Sequence, residues 1–210
     1  MHAETLLDIA MMHADSLITN ARTGDERALN KLVSLWYKRI YNYVHKYVAD
    51  HDLASDVAQK TFITMFRKIS TLQEVDSFKP WLYRIATNLC HEEDRKQKRS
   101  RTMSISASKF EDDNDQAALG VSKGNFYNPE RGFQQKELEV ALLDALGKIG
   151  EDQRAVVIMK EYEGFKFREI ADVLKVSENT VKTRLYAGLT QLKSVLKKNN
   201  ITKETIYYEL

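Results

Sequence analysis

Apolar side chains recur three or four residues apart through most of this chain, which is the spacing of amphipathic helices. The clearest stripe lies in the C-terminal quarter, where Val181, Leu185 and Leu189 fall four apart and Leu192 and Leu196 continue the series. Segments 28–47, 54–69, 138–149 and 155–162 repeat the same rhythm. Only 2 prolines and 8 glycines interrupt 210 residues. The pattern predicts an all-α fold.

Polar and conformationally special residues mark where these helices begin and end. Asp25 is a good N-cap for the helix that follows it, and Pro80 suits the first turn of a helix starting at Phe78. Gly164 is placed to end the helix before it. The polar stretch Ser70–Ser77 has little pattern and is predicted to be a loop.

Composition changes near Ser100, where aliphatic residues give way to Ser, Asp, Asn and Gly. No helical period continues through the next stretch, so we expect a flexible linker with an acidic centre at Glu111–Asp115. The chain should therefore form two small helical domains joined by this linker. The predicted divisions are an N-terminal extension with a first helix (1–22), a first domain (23–99), the linker (100–135), a second domain (136–198) and a tail (199–210).

The segment Phe165–Leu189 carries the sharpest functional signal. A short helix precedes a turn, and Ser177 can then cap a second helix. Opposite the apolar stripe, near the start of that second helix, the sequence places Glu178, Asn179, Lys182 and Thr183. A helix-turn-helix presents side chains to the DNA major groove from this position. The alternative is an ordinary helical hairpin whose polar face is only solvated.

Composition limits the classes of protein to consider. An apolar fraction of 43% is ordinary for a soluble globular chain, and a net charge of +2 does not by itself indicate a polyanion partner. No apolar run is long enough to insert in a membrane, and the N-terminus lacks a secretory pattern. The single cysteine, Cys90, lies among apolar residues and is predicted to be a buried structural thiol. We expect a cytoplasmic protein.

Taken together, three segments resemble bacterial RNA polymerase sigma factors of the extracytoplasmic-function group, within the sigma-70 family. Its region-2 domain is similar to DLASDVAQKTF at Asp52–Phe62 and FKPWLYRIATNLCHEEDRKQKR at Phe78–Arg99. Its region-4 domain is similar to the stretch from LDALGKIG to TVKTRL, at Leu143–Leu185. The resemblance spans about residues 16 to 196.

Two positions depart from the family's usual pattern. Lys60 stands where an acidic residue is common, and this change could tune the contact with polymerase. Lys175 stands in the helix-turn-helix turn, where Gly or Asn is common. A left-handed Lys175 would cost roughly 1 kcal/mol.

The resemblance implies a set of partners: core RNA polymerase, promoter DNA with two spaced elements, and an anti-sigma factor. Region 2 and the Ser70–Ser77 loop would recognise the proximal element and help to melt it, with one base flipped into a pocket. Region 4 would recognise the distal element. The candidate distal contacts are Lys175, Ser177, Glu178, Asn179, Thr180, Lys182, Thr183 and Arg184. The candidate proximal contacts are Arg84, Asn88, Arg95, Lys96, Lys98 and Arg99, and the candidate polymerase contacts are Asp56 and Gln59.

Aromatic faces and a basic groove stabilise unpaired bases, so the aromatic fourth helix suits a melting role. Helical spacing nevertheless makes Phe62 and Trp81 core residues rather than stacking platforms. The run His91–Asp94 does not predict a metal site, because consecutive helical residues point to different faces. We therefore expect no cofactor, no catalytic residue and no small-molecule substrate.

Two other classes of protein compete with this interpretation. The first is a transcriptional regulator whose helix-turn-helix resembles a response-regulator output domain, which would need an upstream receiver or sensory domain. The second is a helical nucleic-acid-processing enzyme that uses the His91–Asp94 turn, which would need a metal and convergent carboxylates.

Overall fold

The computed structural model describes residues 15–107, 129–199 and 201, and these form helices joined by short turns. No strand occurs in these ranges. The first helix, α1, covers residues 15–22. The others are α2 (Glu26–Val48), α3 (His51–Lys68), α4 (Phe78–Ala107), α5 (Pro129–Gly147), α6 (Glu151–Val157), α7 (Phe167–Leu174) and α8 (Glu178–Lys198). Residues Ile158–Tyr162 continue α6 as a π-helix, and two short 3-10 helices, Ile69–Thr71 and Val75–Ser77, connect α3 to α4. The all-α prediction is confirmed.

Local sequence explains most of the helix ends. The Asp25 carboxylate accepts a hydrogen bond from the Arg27 amide at 2.8 Å, as expected of an N-cap. Asp50 does the same for α3 through the Leu53 amide at 2.7 Å. Between these helices, Ala49 is left-handed at φ 57°, which turns the chain sharply after α2. Gly164, at φ 65°, closes the π-helical stretch as predicted.

The first half of the chain packs α2, α3 and α4 around a core of large apolar residues. Leu32, Ile40, Met65 and Leu82 are fully buried there. The Tyr43 hydroxyl donates to Thr87 Oγ1 at 2.8 Å, because the Thr87 hydroxyl is already donating to the Tyr83 carbonyl at 2.7 Å. A polar pair is thus satisfied inside the core.

Two predicted core aromatics and the cysteine lie close to their expected places. Phe62 is only 5% exposed, and Trp81 is partly buried against the core. Cys90 is fully buried, and this burial raises the pKa of its thiol well above the usual value. The thiol is therefore a core group.

The second half packs α5–α8 around Leu146, Ile158, Phe165 and Val181. The apolar residues of the two halves belong to one continuous buried cluster. The halves are therefore in direct contact along α2, α4, α6 and α7, and residues far apart in sequence meet at this seam.

The connecting segments contain helical turns that the sequence pattern does not indicate. Helix α4 continues to Ala107 and α5 begins at Pro129, so helix extends into both ends of the predicted 100–135 linker. The residues at these helix ends, SRTMSISA at 100–107 and PERGFQQ at 129–135, carry no regular apolar stripe, so their sequence does not indicate helix. The Ser70–Ser77 stretch is two 3-10 turns, each too short to show a period. The acidic centre Glu111–Asp115 and the outer parts of both termini lie outside the described residues.

Candidate nucleic-acid interface

Helices α7 and α8 form the predicted helix-turn-helix. Lys175 ends α7 in the left-handed conformation, at φ 56° and ψ 45°, so the strained form considered from the sequence is the one present. The Val176 amide donates back to the Ala171 carbonyl at 3.2 Å. Ser177 then caps α8, with its hydroxyl oxygen accepting from the Thr180 amide at 3.1 Å. The turn is short because α7 ends, and α8 begins, at a well-defined cap.

One face of α8 gathers the polar residues that the sequence singled out. Glu178, Asn179, Lys182 and Thr183 are all exposed, whereas Val181 is fully buried against the core. The Lys182 ammonium lies 5.6 Å from the centroid of the Phe167 ring in α7. The helix N-terminus, with its unpaired amides, is at the same end. A side chain or phosphate approaching this end would meet donors and a positive dipole.

Tyr186 shares this face and was missed from the sequence. It follows Lys182 by four residues and Thr183 by three, so it lies one turn further along the same side of α8. Its side chain is 66% exposed, an unusual position for a large aromatic residue. The helical spacing could have indicated it, but an aromatic residue near an apolar stripe suggests core.

Three other predicted distal residues have structural partners. Arg184 Nη2 lies 2.6 Å from a carboxylate oxygen of Asp152, at the start of α6. Ser177 and Thr180 hydrogen bond to each other through their hydroxyls at 2.9 Å, as part of the cap. The polar groups of these three residues are therefore engaged within the fold.

Helix α4 carries the candidate proximal contacts, and most of them share one side. Arg84, Asn88, Arg95 and Arg99 recur at helical spacing, and the last three are exposed. Lys96 lies off this line, and its ammonium donates to Glu93 at 2.7 Å. The basic residues form a stripe along a single helix, as a phosphate backbone would require.

Two of the proximal candidates touch the second half of the chain. Lys98 Nζ lies 3.5 Å from a carboxylate oxygen of Glu151. Arg84 donates from Nε to the Val173 carbonyl at 3.2 Å and from Nη2 to the Asp172 carbonyl at 2.5 Å. No pattern in the sequence indicates that either side chain meets the half that contains the helix-turn-helix.

The aromatic residues of α4 are mainly structural. Phe78 and Tyr83 are 1% exposed, so neither offers a ring to an unpaired base in this arrangement. The Tyr83 ring packs edge-on to Phe165 with a centroid distance of 4.8 Å. Burial raises the pKa of the Tyr83 phenol, and the hydrogen bond that it donates to the Glu163 carboxylate adds to this effect.

Helix α3 presents a separate exposed face. Asp56 and Gln59 are exposed on it, and Ile63 and Phe66 continue the same line at 43% and 42% exposure. A polar pair followed by two exposed apolar side chains is typical of a protein-contact surface. Lys60 points elsewhere, because its ammonium lies 3.6 Å from Glu93 of α4.

The four residues of the His91–Asp94 turn diverge. The Glu93 carboxylate pairs with lysines, and the Asp94 carboxylate accepts from the Tyr47 hydroxyl at 3.2 Å. Glu92 is exposed, whereas His91 is half-buried. In the ranges that the structure describes, no group of three or more His, Cys, Asp or Glu side chains could hold a metal ion.

Arg154 of α6 is a residue whose importance the sequence did not reveal. It is 9% exposed, and its guanidinium donates to the carbonyls of Tyr47 at 2.9 Å, Gly147 at 3.1 Å and Ile149 at 3.3 Å. Asp94 lies 3.7 Å from Nη1. One buried cation thus satisfies carbonyls at the ends of α2 and α5 and joins the two halves.

Family models match two parts of the chain: one for sigma-70 region 2 at residues 32–100 and one for sigma-70 region 4 at residues 139–192. The chain is 27% identical over 188 residues to the ECF RNA polymerase sigma-E factor of Haemophilus influenzae, which covers 88% of this chain and 92% of that protein. It is 28% identical over 174 residues to the RNA polymerase sigma-H factor of Pseudomonas aeruginosa, covering 81% and 86%.

Two solved structures share the fold. One is CnrH in complex with the cytosolic domain of CnrY, at TM-score 0.63 and 21% identity, covering 88% of this chain and 97% of that chain. The other is the sigma factor RpoE in complex with the anti-sigma factor NepR from Bartonella quintana, at TM-score 0.56 and 21% identity, covering 80% and 96%. Among the described helices of the present protein, none has the length and apolar character needed to cross a bilayer.

Proposed function

Since the chain belongs to the sigma-70 family, in its extracytoplasmic-function group, we propose that it acts as a promoter-specificity subunit of bacterial RNA polymerase. It binds core polymerase, recognises two spaced promoter elements and promotes melting at the start site. The observation that carries this proposal is the presence of both a region-2 and a region-4 segment in one chain, each with an exposed polar face.

In this proposal the exposed face of α8 reads the distal promoter element. Glu178, Asn179, Lys182 and Thr183 reach base edges in the major groove, where carboxylate, amide and ammonium groups discriminate among base pairs. Lys175 contacts a phosphate. The exposure of these five side chains near the start of a helix supports their roles.

Around these contacts, Ser177 and Thr180 hold the helix N-terminus in position, and Tyr186 extends the reading face by one turn. Arg184 reaches phosphate only by exchanging its Asp152 partner for DNA.

Helix α4 engages the proximal element through its basic stripe. Arg84, Arg95, Lys96, Lys98 and Arg99 contact the backbone of the melted strand, where each neutralised phosphate adds a salt-dependent term. Asn88, exposed on the same side as Arg84 and Arg95, hydrogen bonds a base edge or the backbone.

The exposed face of α3 binds core polymerase. Asp56 and Gln59 are its polar anchors, and Ile63 and Phe66 supply apolar area beside them. An interface gains most of its affinity from such buried apolar anchors, with polar residues setting register. Lys60 acts within the protein, on Glu93, rather than on the polymerase.

A transcriptional regulator of the response-regulator type is the weaker candidate. It accounts for the helix-turn-helix but not for the region-2 match over residues 32–100. The proposed protein is not itself an enzyme, since RNA synthesis is performed by the polymerase. It works in the cytoplasm, and an anti-sigma factor binds and controls it. This is supported by the Bartonella quintana sigma factor that shares its fold, which was solved in complex with an anti-sigma factor.

Run-off transcription with purified core polymerase tests the proposal. Template fragments from a promoter library are transcribed with and without the protein, and the transcripts are sequenced. Transcripts that share two spaced elements and depend on the protein are expected. If the protein neither co-purifies with core polymerase nor adds any transcript, the proposed function is wrong.

A narrower test separates the DNA face from the polymerase face. Asn179→Ala or Lys182→Ala should weaken binding to the recovered distal element by about tenfold, since a good bidentate contact is worth ~1–3 kcal/mol. Core association, measured by pull-down, should be unchanged. The control is Gln191→Ala, exposed on the side of α8 away from Lys182. Loss of core association in the first two variants would show that this face is not a DNA surface.

A further inference from the structure

Arg84 is a candidate promoter contact whose guanidinium already hydrogen bonds within the protein. Its guanidinium reaches across the seam between the two halves and donates to two consecutive carbonyls, those of Asp172 and Val173, at 2.5 and 3.2 Å. Asn88 and Arg95, on the same side of α4, remain exposed. One end of the basic stripe on α4 is therefore engaged within the protein, whereas the rest of the stripe is exposed to solvent.

The two carbonyls belong to the C-terminus of α7, the first helix of the helix-turn-helix. The last carbonyls of a helix lack partners within it and carry a partial negative charge. At the sharp left-handed end of α7, the amides of Lys175 and Val176 both donate to the Ala171 carbonyl. The Asp172 and Val173 carbonyls are therefore free to accept from the planar fork of an arginine.

Contacts near Arg84 hold the turn that leads into α7 against α4. The Tyr83 hydroxyl donates to the Glu163 carboxylate at 2.5 Å, and the Lys79 ammonium lies 3.9 Å from the centroid of the Phe165 ring. At the other end of the seam, the buried Arg154 guanidinium donates to the Tyr47 carbonyl. The position of α7 beside Arg84 thus depends on the whole seam between the halves.

We propose that the C-terminus of α7 competes with promoter phosphate for Arg84, so that the packed arrangement of the two halves restrains proximal-element binding. The pair of helix-end carbonyls takes the place of phosphate oxygens. The exposed face of α8 is not covered, so the distal element can be read before the seam opens. This inference rests on the proposed function, because it assumes that Arg84 contacts DNA.

A reversible cross-link tests the competition in the full-length protein. The Lys46 ammonium lies 5.1 Å from the centroid of the Tyr162 ring, across the seam and away from the proposed DNA residues. The double variant Lys46→Cys, Tyr162→Cys is joined with a cleavable bismaleimide, and Cys90 is protected by its burial. Fluorescence anisotropy then measures binding to a labelled oligothymidylate at low salt.

The cross-linked protein should bind the oligothymidylate about tenfold more weakly than the same sample after cleavage, because a charge-assisted contact is lost while the seam is held shut. Glu163→Ala removes the acceptor for Tyr83 without touching the basic stripe. It should strengthen binding severalfold, because it enlarges the population of the open form. Equal affinities before and after cleavage would overturn the proposal.

Arg84→Ala, made in the same cysteine background, distinguishes failure of this inference from failure of the proposed function. With the competition as proposed, the cleaved variant binds weakly and the effect of cross-linking disappears. If Arg84→Ala weakens binding but cross-linking never had an effect, Arg84 contacts DNA and the competition is absent. If Arg84→Ala leaves the cleaved protein's affinity unchanged, Arg84 is not a DNA contact and its proposed role fails.

Discussion

Replacing Arg154 with alanine removes the buried cation that joins the two halves of the molecule. The guanidinium donates three hydrogen bonds to backbone carbonyls and faces Asp94. After truncation, the carbonyls of Tyr47, Gly147 and Ile149 lose a charged donor. The Asp94 carboxylate, whose side chain is 14% exposed, loses its cation.

The expected cost follows from these losses. A hydrogen bond to a charged group contributes about 1.5–3 kcal/mol net, and removing one partner of a buried ion pair costs about 3–5 kcal/mol. These contributions overlap, since the same guanidinium makes all of them. We therefore expect Arg154→Ala to lower the free energy of unfolding by about 3–5 kcal/mol, a large share of the roughly 5–15 kcal/mol typical of a domain.

Urea unfolding followed by circular dichroism provides the measurement. Because Arg154 joins the halves, its loss should also broaden the transition and lower the m-value, as expected when two units no longer unfold together. Arg168→Ala is the matched control: it removes an arginine that is exposed on α7, and surface substitutions usually change stability by less than about 0.5 kcal/mol.

The reasoning would be refuted by a cost for Arg154→Ala no greater than that for Arg168→Ala. If the free energy of unfolding falls by the expected amount but the m-value is unchanged, only the joining role is refuted. In that case Arg154 would stabilise α6 and α5 locally, through Gly147 and Ile149, and its bond to Tyr47 would contribute little.

Three further substitutions test other parts of the fold. Gly188→Ala should cost about 1–3 kcal/mol in thermal unfolding, because the new Cβ would lie 2.9 Å from a methyl group of Val157 and force α6 and α8 apart. Ser177→Ala should cost about 1 kcal/mol, because the Thr180 amide loses its cap, and it should weaken distal-element binding by fraying the start of α8. Burial, and then the charge of His51, lower the pKa of His45 below 6.5, so the unfolded chain binds the proton more tightly. The free energy of unfolding should therefore fall as the pH decreases below about 6.5. The variant His45→Gln should make this dependence of stability on pH less steep.

Each of these has a control or an opposing outcome. A Cβ at Gly147 would meet nothing within 4 Å, so Gly147→Ala should not destabilise the protein, and a cost equal to that of Gly188→Ala would contradict the packing argument. Thr190, exposed further along α8, tests the cap: Thr190→Ala should change stability by less than about 0.5 kcal/mol. Identical pH slopes for His45→Gln and the unchanged protein would show that another group causes the acid loss.

The helices, and the exposed faces of α3 and α8, follow largely from the local pattern of apolar and polar residues. The spacing of Val181, Leu185 and Leu189 orients α8, and it therefore also indicates that Glu178 and Lys182 face outward. Ser177 and Asp25 were predictable as caps because an N-cap depends on a few neighbouring residues. Helix ends without an apolar stripe, such as the extension of α4 to Ala107, gave no such signal.

By itself, the sequence determined the fold class, the helix-turn-helix and the side of each helix that meets solvent, because these depend on residues within a turn or two of each other. Only the tertiary structure decided the partners of the long charged side chains. Arg84 reaches carbonyls 88 and 89 residues away, and Arg154 reaches one 107 residues away. A long side chain bonds whichever acceptor packing brings near it, and no local period records that choice. The apparent basic stripe is for this reason also part of the seam between the two halves.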